Sequence, residues 1–110
     1  CHARCALRRE RDRTAARNAR GTVRAFAGDL VGAQSDYRDV LQAEPDHAVA
    51  ISNLALLAAL SGEPERAYEL ARRASALAPA DAVLRANRDR LAEWRAQPAR
   101  DQLPQLPCDS

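Results

Sequence analysis

Apolar residues recur at helical spacing through most of the chain, and this pattern predicts five helices. They are expected over residues 14–27, 30–43, 46–60, 64–77 and 81–96. The stripe of the first helix is the weakest, and that helix can extend back through Leu7. The apolar stripes consist, helix by helix, of Ala16, Ala19, Val23 and Phe26; Leu30, Ala33, Tyr37, Val40 and Leu41; Val49, Ile51, Leu54, Leu57, Ala58 and Leu60; Ala67, Tyr68, Leu70, Ala71, Ala74 and Leu77; and Leu84, Leu91 and Trp94. The stripes of the first, second and last helices are predicted to face inward.

Glycine, proline and aspartate mark where these helices begin and end. Gly62 can adopt the left-handed conformation that closes a helix, and Pro64 fits the first turn of the next one. Pro79 stops that helix, and Asp81 is a candidate N-cap for the last one. After residue 97 three prolines in ten residues predict an extended tail.

The same pattern of glycine, alanine and proline recurs 34 residues along the chain, which indicates an internal repeat. Each unit has a glycine, an alanine five residues later and a closing proline. The pairs that match at this offset are Gly28 with Gly62, Asp29 with Glu63, Ala33 with Ala67, Pro45 with Pro79, and Asn53 with Asn87.

Composition supports an all-α fold and shows an uneven distribution of charge. Alanine, leucine and arginine favour helices, and only 4% of residues are aromatic. All 17 basic residues are arginine, which we attribute to the coding bias of a GC-rich genome. The alternative is that the arginines serve to bind phosphate or carboxylate groups through two parallel hydrogen bonds. Residues 1–24 carry a net charge of +6 and the remainder carries −4. This basic arm can contact an acidic partner, an anionic surface or nucleic acid, or it can simply be a solvated helix.

A 34-residue helix-turn-helix period with these positions resembles the tetratricopeptide repeat (TPR) family. The matching residues are Gly28, Gly62, Ala33, Ala67, Ala74, Pro45, Pro79, Leu54 and Tyr37. The resemblance implies an all-α solenoid of antiparallel helices over residues 14–96. Its parts would be repeats at 14–47 and 48–81 and a capping helix at 81–96, with a basic arm or helix extension at 1–13 and a tail at 97–110.

The first helices of both repeats depart from the family pattern. Arg17, Arg20 and Arg24 occupy positions where the family has bulky residues, although Gly21 fits its glycine. In the second repeat Ile51, Ala55 and Ala58 replace tryptophan, glycine and tyrosine. Two repeats and a cap are few for the family. Either the chain is part of a longer array, or the arm, the tail or self-association supports a minimal module.

The resemblance also implies a concave groove that binds another protein or a peptide segment. Its expected lining residues are Asn18, Thr22, Val49, Ser52, Asn53, Leu56, Leu60, Asn87 and Arg90. Asn53 and Asn87 lie where the family often places an asparagine that hydrogen-bonds a peptide backbone, since an amide both donates and accepts. The alternative is that each amide bonds only within its own helix pair.

The three cysteines lie at the two ends of the chain and allow several interpretations. If Cys1 is the first residue of a mature bacterial lipoprotein, its thiol carries lipid and Cys5 can pair with Cys108. The absence of methionine agrees with this. A zinc site of Cys1, His2, Cys5 and Cys108 is a second interpretation, disfavoured by its loose spacing. The third is that these are incidental thiols of a cut fragment.

Catalytic motifs are missing from the sequence, and we expect neither an enzyme nor a cofactor. No nucleophile elbow, phosphate loop or His-Glu-x-x-His motif occurs. His47 is expected to be structural or neutral, and Glu69 to pair with Arg72 or Arg73.

The expected function is therefore that of an interaction adaptor or scaffold. We expect a lipid-anchored assembly factor of a bacterial envelope secretion or pilus machine, on the periplasmic face of the outer membrane. The alternatives are a cytoplasmic TPR fragment of a larger protein, or a binder of an anionic surface or nucleic acid through the arginine arm. The arm lacks interleaved aromatic residues, which argues against nucleic acid.

Overall fold

The structure, a computed structural model, describes the backbone of residues 2–97 and the side chains of residues 8–97. Over this stretch the protein is all α, as predicted, with five helices and no strand. The helices are α1 (His2–Phe26), α2 (Leu30–Ala43), α3 (Ala48–Leu60), α4 (Pro64–Leu77) and α5 (Ala82–Ala96). They belong to two compact units, Cys1–Pro45 with α1 and α2, and Asp46–Ser110 with α3, α4 and α5.

The two predicted glycine turns have the same backbone geometry. Gly28 has a φ of 88° and Gly62 a φ of 75°, a left-handed conformation that favours glycine. The N–H of Gly28 donates to the Ala25 carbonyl at 3.1 Å, and that of Asp29 to the Arg24 carbonyl at 2.8 Å. Gly62 and Glu63 donate to the carbonyls of Ala59 and Ala58 at 3.0 and 2.9 Å. Both turns are therefore Schellman caps, and in each case three residues separate the two helices.

Side-chain caps fix the starts of three helices. Asp29 accepts a hydrogen bond from the Gly32 N–H at 2.9 Å. Asp81 accepts from the N–H groups of Val83 and Leu84 at 2.9 and 3.2 Å, which confirms its predicted role. The Nδ1 atom of His47 accepts from the Ala50 N–H at 3.1 Å. Helix α3 therefore begins after His47, two residues later than predicted, and His47 has a structural role.

Small residues dominate the core of the second unit. Its buried cluster joins α3, α4 and α5 through one tryptophan, one leucine and five alanines: Ala55, Ala58, Ala59, Ala67, Ala71, Leu91 and Trp94. Because alanine ends at Cβ, helices that meet through it approach closely. The predicted inward residues of α5 are all buried, and its polar face is largely exposed, as expected of a capping helix.

Helix α1 includes the helical extension that was one of the two predicted alternatives, and it turns a different face inward than predicted. It runs unbroken from residue 2, so the arm is a helical extension. The predicted stripe of Ala16, Ala19, Val23 and Phe26 is wrong, because all four side chains are exposed, Val23 by 68% and Phe26 by 72%. The residues that α1 buries instead are Thr14 and Gly21, with Asn18 and Ala25 half-buried.

A close contact between Gly21 and Tyr37 explains part of this orientation. Tyr37 is 2% exposed, and a Cβ at position 21 would lie 2.7 Å from its Cε1 atom. Any side chain at this point of α1 would therefore displace the ring. Ala33, which follows the same turn, is fully buried.

Gly21→Ala is expected to destabilise the protein although alanine is the better helix former. The overlap with Tyr37 costs about 1–3 kcal/mol, whereas the helix propensity gained is about 1 kcal/mol. We expect a net loss of about 1 kcal/mol, measured by urea unfolding followed by circular dichroism.

The control is a double-mutant cycle with Tyr37→Leu. In the Tyr37→Leu background the clash is absent, so Gly21→Ala should become neutral or stabilising. An equal loss in both backgrounds would contradict the contact.

Candidate interaction site

Three of the predicted groove residues are polar and lie inside the protein. Ser52 and Asn87 are 1% exposed and Asn53 is 4% exposed. The Asn87 amide nitrogen donates to the Ser52 hydroxyl at 3.4 Å, which links α5 to α3. The expectation that these side chains line an open groove is thus wrong. The Ser52–Asn87 bond joins α3 to α5 and therefore does not lie within one helix pair, as the alternative had expected.

The accessible members of the predicted set in the second unit are mostly apolar. Leu60 is 48% exposed, and Val49 and Leu56 are half-buried. Their spacing of seven and four residues puts all three on one face of α3. Arg90, on α5, is also exposed. This face offers hydrophobic contacts, whereas the amides predicted beside it are turned inward.

The predicted residues of the first unit belong to the contact between α1 and α2. Asn18 and Thr22 are both half-buried. The Thr22 hydroxyl donates to the Asn18 carbonyl at 3.1 Å and lies 3.0 Å from the Tyr37 hydroxyl. Thr22 thus holds the Tyr37 ring in position beside Gly21.

A buried carboxylate that the sequence analysis missed is the most strongly bonded group of the first unit. Asp36 lies in the middle of α2, and its side chain is 1% exposed. Arg20 donates from Nε to Oδ2 at 3.0 Å and from its terminal nitrogen to Oδ1 at 2.6 Å, a two-point fork. Arg24, one turn further along α1, donates to Oδ2 at 3.2 Å. We call this group the Asp36 clamp.

The charges of the clamp stabilise its ionised state. The hydrogen bond from Arg20 lowers the pKa of Asp36, and the positive charges of Arg20, Arg24 and Arg17 add to this, although burial acts in the opposite direction. The same hydrogen bond and the charge of Asp36 raise the pKa of Arg20. Both arginines remain partly exposed, so only the carboxylate gives up its hydration.

The sequence contained a sign of this clamp. Asp36 falls on the inward stripe of α2, between Ala33 and Val40. Arg20 and Arg24 fall on positions where the resemblance expects bulky inward residues. An acid and two arginines on facing stripes indicate an ion pair between two helices.

Several predictions fall on residues that the structure does not describe. These are the lipid on Cys1, the pairing of the Cys5 and Cys108 side chains, the alternative zinc ligands and the tail from residue 98 onward. Among the described residues there is no group of three or more metal-ligating side chains. None of the described helices combines the length and the apolar character needed to cross a membrane.

Comparisons with known proteins add no family assignment. The chain matches no model of a known protein family. It also matches no curated protein.

Asp36→Asn is expected to lower the free energy of unfolding by about 1–3 kcal/mol at neutral pH, because it weakens charged hydrogen bonds to a buried group. The folded-state pKa of Asp36 is lowered from 3.8, so its contribution is complete above that value and disappears as the pH falls through the lowered pKa. The stability difference between wild type and variant should therefore shrink only in strong acid. Urea unfolding at a series of pH values measures it.

Asp12→Asn is the matched control, because Asp12 is an exposed acid of α1 that forms no ion pair among the described residues. Its cost should be small. An equal cost for both variants, or a difference for Asp36→Asn that persists in strong acid, would contradict the clamp.

Proposed function

We propose that the chain is a TPR-type helical repeat module that acts as an adaptor by binding a segment of another protein. The observation that carries this proposal is the recurrence of one turn. Schellman caps with the same hydrogen bonds lie 34 residues apart at Gly28 and Gly62. Ala33 and Ala67, five residues after them, are both fully buried. Repeated helical hairpins of this kind form extended binding surfaces.

The face of α3 that carries Val49, Leu56 and Leu60 is the proposed binding surface, with Arg90 as its charged member. A leucine that is half exposed on a helix gains free energy when a partner covers it. Since Asn53 and Asn87 are buried, we propose recognition through apolar side chains of the partner rather than through its backbone.

Photocrosslinking in the native host tests this surface. A benzophenone amino acid in place of Leu60 should give a discrete crosslinked partner, identified by mass spectrometry. The control is the same group in place of Leu77, which is 41% exposed on α4. The same product from both positions, or no product from either, would contradict the proposed surface.

We further propose that the adaptor is a lipoprotein on the periplasmic face of a bacterial outer membrane. In this proposal Cys1 carries the lipid, Cys5 is bridged to Cys108, and the partner belongs to an envelope secretion or pilus machine. The support is the sequence argument from three terminal cysteines.

Intact mass spectrometry of protein from native membranes tests the anchor. We expect a diacylglycerol adduct on Cys1 and two cysteines that become alkylated only after reduction. An unmodified chain with three free thiols would overturn the lipoprotein proposal without affecting the α3 surface.

A further inference from the structure

The outward side of α1 carries an exposed apolar stripe, formed by the four residues predicted to be inward. With about 100° of rotation per residue, Ala16, Ala19, Val23 and Phe26 fall within about 80° of the helix circumference. Val23 and Phe26 are 68% and 72% exposed. We call this the α1 stripe.

A line of arginines runs along one side of the α1 stripe. Arg9, Arg13, Arg17, Arg20 and Arg24 follow one another at steps of three or four residues, so they share an adjacent face over about 22 Å. Arg20 and Arg24 contact Asp36. Arg9, Arg13 and Arg17 are exposed, and none of them forms an ion pair with another described residue. The line therefore presents uncompensated positive charge to the solvent.

Helix α2 leaves the α1 stripe and the amino-terminal arginines of the line exposed. It has 14 residues and α1 has 25, so almost half of α1 extends beyond the reach of α2. Helix α2 also contacts the opposite side of α1, where Gly21 meets Tyr37. The α1 stripe and the arginines Arg9, Arg13 and Arg17 are therefore exposed together, whereas Arg20 and Arg24 turn towards α2.

We propose that this face binds an acidic amphipathic helix of a partner protein. The partner's apolar residues would cover Val23 and Phe26, and Ala16 and Ala19 would let its backbone approach closely. Its carboxylates would lie along the arginine line, where two of the five guanidinium groups are already engaged by Asp36. Apolar contact would supply most of the affinity, and charge pairing would set the direction and register of the partner.

Other occupants satisfy only part of this surface. A second copy of α1 would place mostly arginines against arginines, since residues 8–24 carry seven arginines and two acids, Glu10 and Asp12. A nucleic acid backbone would pair with the arginines and leave Val23 and Phe26 in water. A bilayer draws its binding energy from large apolar side chains, and the α1 stripe has only two.

Fluorescence anisotropy with a synthetic peptide tests the proposal on the full chain. The probe is an amphipathic helical peptide of about 21 residues with a leucine stripe flanked by glutamates. Two reference peptides have lysines in place of the glutamates, or the same composition in scrambled order. We expect binding of the acidic peptide alone, with an affinity that falls as salt is added.

Substitutions locate the binding face. Val23→Ala with Phe26→Ala should weaken binding by at least about tenfold, and Val31→Ala with Leu77→Ala, a pair of exposed residues on α2 and α4, should not. Arg9→Gln with Arg13→Gln should weaken binding and reduce its salt dependence, while leaving the Asp36 clamp intact. Because these side chains are exposed, helicity should remain at the wild-type level, which circular dichroism verifies.

Each alternative outcome would overturn the proposal. It fails if the acidic peptide does not bind, or if the lysine peptide binds equally well. It also fails if Val31→Ala with Leu77→Ala weakens binding as much as the α1 substitutions do. Tighter binding to duplex DNA or to anionic vesicles than to the acidic peptide would identify a different ligand. Self-association that is lost in Val23→Ala with Phe26→Ala would identify a second copy as the occupant.

Discussion

The buried carboxylate of Asp36 sets the orientation of α1. A charge inside a protein is stable only when it is paired and hydrogen-bonded, and the partners of Asp36 all come from one side of α1. Arg20 and Arg24 are one turn apart, so that side must turn towards α2. The burial of Gly21 against Tyr37 fixes the same orientation. As a consequence, Val23 and Phe26 point away from α2 and remain in solvent.

The second constraint is that neighbouring helices approach each other closely. In both units this is possible because small residues, glycine or alanine, lie where the helices meet. In the first unit Gly21 accepts the ring of Tyr37. In the second, Ala67 and Ala71 belong to a core that contains one large aromatic side chain, Trp94. A core of this kind is stabilised by tight packing over many small contacts, so its stability depends on the spacing between helices rather than on a few bulky residues.

Local features of the sequence predicted most of the helix boundaries. The ends of α2 and α4 and the caps at Asp81, Gly28 and Gly62 follow from residues within one turn of each boundary. The orientation of α1 could not be predicted in this way. Hydrophobic periodicity ranked Val23 and Phe26 as inward, but a contact between residues 16 positions apart outweighed it. The prediction that Ser52 and Asn87 line an open groove was wrong for the same reason, because the bond between them joins residues 35 positions apart.

The burial of these amides changes the kind of recognition available to α3. The bond from Asn87 to Ser52 helps to position α5 against α3. Asn53 and Asn87 are 4% and 1% exposed, so their amides do not reach the backbone of a partner on the surface. The accessible residues of this face, Leu56 and Leu60, can then select a partner only by the shape and the apolar area of its side chains. Hydrophobic contacts of this kind depend little on salt. The outward side of α1 combines the exposed side chains of Val23 and Phe26 with a row of guanidinium groups, whose interactions weaken as salt screens them. The two surfaces therefore differ in chemistry. Added salt should weaken binding to the outward side of α1 and should have little effect on binding to α3.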